Sequence, residues 1–274
     1  MKKTLIISGF VLAILVIIFA LTSTKEKITY DSVTLPSTEG ETIVTEPEPE
    51  ITKEPAAPAI TPEHVGKFDP TKSASSDRTI YAYGFYYEPL PDDIKKKITG
   101  VSFHENDNIT YDDLRYLNVL YVDFEGNTQK GEIICNKAIA QDLVEIFKEL
   151  YDNEYQIDKI RLIDEYNGDD DLSCDDNNTS CFNYRVVGGT DSLSKHALGL
   201  AIDINPFQNP YITYPNGVER ISPAGSEPYA DRSSGLPHMI LEGDLCYNLF
   251  MEHGFTWGGH WKTLKDYQHF QKTL

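Results

Sequence analysis

The stretch Ser194-Lys195-His196-Ala197-Leu198-Gly199-Leu200-Ala201-Ile202-Asp203-Ile204-Asn205 decides the fold. Leu200, Ile202 and Ile204 alternate with Ala201, Asp203 and Asn205. That period of two defines a strand with one apolar face and one small, polar face. Gly199 marks the bend through which the chain enters the strand. Such a bend lets His196 fold back over the polar face and meet Asp203. A carboxylate in an otherwise apolar strand needs a partner, because burying it alone is costly. Two ligands do not make a metal site, and the best third is His269 in Asp266-Tyr267-Gln268-His269-Phe270-Gln271.

A catalytic zinc site takes three protein ligands and keeps a fourth position for water. His196, Asp203 and His269 offer two nitrogens and one oxygen. A carboxylate must still take the water's proton and pass it to a leaving amine. Asp266, three residues before His269, suits that role from a loop entering the His269 strand. Arg185, just upstream of His196, suits the polarisation of a peptide carbonyl. The aromatic turn Trp257-Gly258-Gly259-His260-Trp261 is expected to wall the site, with Trp261 and Ser194 as substrate contacts.

The motif S-x-H-x-x-G-x-A-x-D, carried by Ser194, His196, Gly199, Ala201 and Asp203, resembles the hallmark of the zinc D-alanyl-D-alanine peptidases. That family includes the VanX-like and VanY-like enzymes and the L-alanyl-D-glutamate endopeptidases. The downstream W-G-G-x-W and D-x-x-H-F are similar to its second motif, and the likeness spans roughly residues 157–271. The resemblance implies Zn2+ on His196, Asp203 and His269, Asp266 as general base, Arg185 at the oxyanion, and peptidoglycan peptides as substrates. It also implies a small α+β domain whose antiparallel sheet carries the metal, flanked by helices, as in hedgehog and lysostaphin-type domains. VanX-like members carry Glu where this chain has Asp266, which points away from a pure dipeptidase. His260 stands where an acidic residue is expected in relatives. The reading is a carboxypeptidase-like enzyme. The alternatives are an endopeptidase of the same family and a wall-binding module that keeps the zinc without the chemistry.

The 274 residues are 40% apolar and 11% aromatic, enough for a full core. With 24 Lys+Arg against 43 Asp+Glu the net charge is −19. Nothing in that balance neutralises phosphates along a groove, so a nucleic-acid partner is excluded, and an anionic membrane surface is disfavoured.

Lys2 and Lys3 precede an apolar run, Thr4 to Leu21, broken only by Ser8 and Gly9. About 18 such residues span a bilayer. Residues 1–22 therefore read as an uncleaved signal anchor with its N-terminus in the cytoplasm. A cleaved signal and a secreted product is the alternative. Residues 23–75 are rich in Pro, Glu and Thr, as in Glu46-Pro47-Glu48-Pro49-Glu50, and read as a disordered linker. Residues 76–274 form the peptidase domain, expected as a monomer outside the membrane.

Within that domain, Thr110 to Leu117 is expected as a short helix with Thr110 and Asp113 as a capping pair. Val119–Phe124 and Glu132–Cys135 flank Gly126-Asn127 as a hairpin. Ile139, Leu143, Val144, Phe147 and Leu150 recur at helical spacing. Ile157 to Ile163 is expected as a strand ending in an acidic, solvated loop, Asp164 to Asp176. Leu245, Leu249 and Phe250 mark a helix closed by Gly254. Cys135 and Cys246 read as buried thiols. Cys174 and Cys181 could pair, and the sequence leaves that open.

Overall fold

The computed structural model describes residues 77–188 and 190–274. The expected signal anchor (1–22) and linker (23–75) lie outside the described residues. Among the described residues, no helix is long and apolar enough to cross a membrane.

The domain mixes helices with small, mainly antiparallel sheets, an α+β arrangement. Strands β1 (Thr79–Ala82), β2 (Phe85–Pro89), β3 (Leu114–Val122) and β4 (Thr128–Asn136) form one antiparallel sheet in that order. Helix α1 (Asp92–Ile98) connects β2 towards β3, and α2 (Ala140–Asp152) follows β4. The predicted hairpin is present and longer than expected, with Leu114 opposite Asn136 and Val122 opposite Thr128. Its turn is held by Asp123, whose Oδ1 accepts the Asn127 N–H at 2.7 Å.

The expected helix over 110–117 is not formed. A single 3-10 turn, Tyr111–Asp113, leads straight into β3. The capping pair is real: the Asp113 carboxylate accepts both the N–H and the hydroxyl of Thr110. The difference has a physical source. β3 is buried on both faces, with Leu117, Val119 and Tyr121 against α2 and its neighbours, and Leu114 and Tyr116 in a second cluster with Ile98 and Phe103. A strand covered on both sides loses its alternation and reads like a buried helix.

Helix α2 buries Leu143, Val144, Phe147 and Leu150, as its spacing predicts. The expected strand 157–163 shrinks to β5 (Lys159–Ile160), paired in parallel with β6 (Asn178–Thr179). The acidic stretch after it is more ordered than a solvated loop. It contains α3 (Asp170–Asp175), capped by Asp169, and Asp164 accepts the N–H and hydroxyl of buried Ser102. All four cysteines are free thiols, so Cys174 and Cys181 do not pair.

The remaining strands position the site: β7 (Ala201–Asp203), β8 (Tyr211–Thr213), β9 (Arg220–Ser222), β10 (Thr256–Trp257), β11 (Lys265–Asp266) and β12 (His269–Gln271). They pair as β10-β12-β7 and β11-β8-β9. Helix α4 (Leu245–Glu252) is capped by Asp244 and followed by Gly254 in the left-handed region. Its Phe250 stacks on Phe270 of β12 with centroids 4.2 Å apart. Leu200, Ile202 and Ile204 point into this core and are buried, as the period of two requires.

The Pro/Gly/Tyr-rich excursion between 207 and 237 is folded down by Arg232. Its guanidinium donates to the carbonyls of Gln208, Tyr229 and Ile240 and to Asn209 Oδ1, at 2.7–3.0 Å. It also lies 4.5 Å over the Tyr267 ring. Burial lowers its pKa to about 10, so it stays charged at neutral pH.

Gly199 fixes the start of β7. Its φ is +63°, and a Cβ there would lie 2.6 Å from Asn136 N, whose N–H donates to the Gly199 carbonyl. Gly199→Ala should therefore destabilise the domain by about 2 kcal/mol or more, combining left-handed strain with the clash. Denaturant unfolding measures this; a loss near zero would mean that the approach of β4 to β7 is not constrained there.

Candidate metal centre

His269 and Asp203 are directly opposed residues on the antiparallel strands β12 and β7. Opposed side chains share a face and stand about 5 Å apart at Cβ. Asp203 Oδ1 accordingly lies 2.9 Å from His269 Nδ1. His196 sits in a 3-10 turn that Gly199 ends, and this turn brings its Nε2 to 3.2 Å from Asp203 Oδ2 and 3.1 Å from His269 Nδ1. The fold-back read from Gly199 brings His196 to Asp203, and the pairing of β12 with β7 brings His269 to both. All three residues are buried.

The second contacts of the two rings decide which nitrogens face inward. His196 Nδ1 lies 2.6 Å from the Cys181 carbonyl, which can only accept, so that nitrogen carries the proton. His269 Nε2 lies 3.1 Å from Gln271 Oε1 and donates to it. In the neutral rings, His196 Nε2 and His269 Nδ1 therefore present lone pairs to one another and to a carboxylate. Three electron-pair donors about 3 Å apart repel unless a cation or proton lies among them. Tetrahedral zinc with bonds of about 2.0–2.1 Å requires ligand atoms roughly 3.3 Å apart, close to what is found. The set fits a metal ion. Outer hydrogen bonds of this kind orient imidazole ligands in metal sites.

Electrostatics reflect the same convergence. Burial disfavours a charged His196, but the Asp203 charge and hydrogen bond outweigh it and raise the ring's pKa. Burial likewise opposes ionised Asp203, yet the two imidazoles overcome it and hold the carboxyl well below its ordinary range.

Asp266 ends β11, a strand separate from that of His269, rather than lying in an entering loop. Burial pushes its pKa up to about 7; His269 and Arg185 oppose the shift, and Asp203 and Asp170 add to it. Its Oδ1 is buried with no hydrogen-bond partner among the described residues. Gly258 explains part of the aromatic turn: a Cβ there would fall 2.6 Å from the Asp266 carbonyl and 3.3 Å from His269 Cβ.

Arg185 donates to Asp170 at 2.6 Å, while its Nε is buried without an acceptor. It feels the charge of Asp203, so the guanidinium lies in the same electrostatic neighbourhood as the cluster. Trp261 packs its ring 5.3 Å from that of His269. Ser194 is buried, and its hydroxyl accepts the His196 N–H at 3.2 Å. His260 lies outward against Glu242.

Residues 188–272 match the family model described as D-alanyl-D-alanine carboxypeptidase. The resemblance read from the sequence is supported there, over a shorter span than the 157–271 expected. The matched family is a peptidase family, and the match includes His196, Asp203, Asp266 and His269. Arg185, Asp170 and the Cys181 carbonyl lie just upstream of the matched segment. Neither the curated proteins nor the solved structures compared with the chain give a match.

Sequence reasoning missed Gln271, Asp170 and the Cys181 carbonyl. Gln271 had a signal, since a residue two places beyond His269 on a strand shares its face. A backbone carbonyl has none.

Zinc added to metal-free protein should raise its melting temperature, by an amount worth about 2.7 kcal/mol at a hundredfold excess over Kd. Asp203→Asn should abolish the shift. Calorimetry with and without zinc checks this, and an undiminished shift in the variant would place the metal elsewhere.

Proposed function

We propose that the domain is a zinc-dependent peptidase acting on peptidoglycan stem peptides, D-alanyl-D-alanine carboxypeptidase-like, with Asp266 as general base. The observation that carries this reading is the unpartnered, buried Asp266 Oδ1 beside three converging metal-ligand atoms. A wall-binding module would need the ligands but not that orphaned acceptor. His196, Asp203 and His269 would hold the ion. When bound, zinc supplies a Lewis acid and lowers the pKa of water to near 7.

The chain's own groups do the rest. Asp266 accepts the nucleophile's proton and delivers it to the leaving amine. Arg185, steadied by Asp170, offers a donor to the carbonyl oxygen as negative charge develops. Ser194 holds the His196 backbone, and Trp261 covers His269. We also propose an N-terminal signal anchor that keeps the domain outside the cytoplasmic membrane, on the strength of Lys2, Lys3 and the apolar run that follows.

The test is mass spectrometry of stem pentapeptides and muropeptides incubated with the protein. Loss of the terminal D-alanine is the expected product; cleavage inside the stem would mean the endopeptidase reading, and no cleavage would remove the enzyme. Asp266→Asn should keep its zinc and lose about 10²–10⁴ in kcat. Unchanged turnover in that variant would remove Asp266 as the base.

Asp266 must be ionised to accept a proton, so activity should fall as pH drops through its pKa. With burial lifting that value to about 7 in the metal-free site, and a bound dication lowering it again, the acid limb of kcat/KM should lie at or below about 7. A flat profile between about pH 4 and 7 would contradict the assignment.

A further inference from the structure

Resting on that reading of the site, we propose that Tyr211 is a further substrate-contacting residue, donating a hydrogen bond from its phenol at the scissile peptide. β11 and β8 are antiparallel, and Asp266 lies directly opposite Tyr211. Directly opposed residues carry their side chains on the same face of the sheet, with Cβ atoms about 5 Å apart. The face that turns the Asp266 carboxylate towards the metal cluster thus turns the Tyr211 ring the same way.

Three observations agree with this placement. Tyr211 is half-buried, so its ring is held by the fold while part of it faces the open side. Its hydroxyl makes no hydrogen bond among the described residues and is not one of the buried unpartnered atoms, so it is accessible to a ligand. Its ring feels the charges of both Asp266 and Arg185, which sets it in the neighbourhood of the proposed base and the proposed oxyanion donor. Burial and the Asp266 charge raise the phenol's pKa, outweighing Arg185, so at neutral pH it remains a donor.

The backbone around Tyr211 is well anchored. Ser222 of β9 pairs with it from the other side, and the Pro210 carbonyl accepts the Tyr267 N–H. Arg232, stacked on Tyr267, ties the same excursion to the chain between Asp266 and His269. The excursion therefore delivers one polar group to the reaction centre on a rigid strand rather than from a loop.

Tyr211→Phe in the full chain, saturated with zinc, is the test. The ring, the strand pairing and the core contacts survive the change, so melting temperature and zinc content should match wild type. The kcat/KM for a stem pentapeptide should fall tenfold or more, and a phosphinate isostere of the scissile bond should bind at least tenfold more weakly. A loss smaller than tenfold in both measurements, with wild-type turnover intact, overturns the role of Tyr211 alone. Wild-type protein that neither hydrolyses the peptide nor binds the phosphinate overturns this role together with the peptidase reading.

Discussion

The structure depends on one cross-strand pair, Asp203 facing His269 in the register of β7 and β12. A strand with strictly alternating faces can bury Ile202 and Ile204 in the core and still aim Asp203 the other way. Shifting the register by one residue would send the carboxylate into the core and an isoleucine into the site. The apolar packing of Phe270 on Phe250, and of Leu200, Ile202 and Ile204 in the same core, therefore sets the geometry of the His196, Asp203 and His269 cluster. His196 joins the pair only because Gly199 allows a turn that no residue with a Cβ could make against Asn136.

Around that pair the fold separates two carboxylates by environment. Asp203 is buried between imidazoles and held ionised, whereas Asp266 is buried without a hydrogen bond at Oδ1 and pushed towards neutral pH. In the proposed reaction Asp203 would carry fixed charge and Asp266 would move the proton, a division of labour that carboxylates driven apart in this way allow. Arg185 completes the asymmetry, since Asp170 occupies one end of the guanidinium and leaves Nε without an acceptor. These groups come from separate segments of the chain, and Gly258 packs closely against two of them, Asp266 and His269.

Much of the candidate site is legible in the sequence because most of its candidate ligands sit on a short motif with a strong period. His196, Gly199 and Asp203 announce themselves by type and spacing, and His269 by its residue type and by resemblance. The hairpin, α2 and α4 were legible for the same reason: their patterns are local. β3 is not legible as a strand because both its faces are covered, which erases the alternation that distinguishes strand from helix. The order within the acidic stretch after β5 was hidden because its partners, Ser102 and Arg185, are distant in sequence. Asp266 lies in the expected neighbourhood but on a strand instead of a loop, since the pairing of β11 with β8 is non-local. Tyr211 has no signature in the chain at all; only register against Asp266 singles it out.

A crystal structure of the full chain grown with zinc, with anomalous data at the zinc edge, tests the central claim most directly. The account predicts one peak about 2.0–2.2 Å from His196 Nε2, an Asp203 carboxylate oxygen and His269 Nδ1, with Asp266 outside bonding distance. A peak bound through His269 Nε2, or a peak away from these three residues, would contradict it.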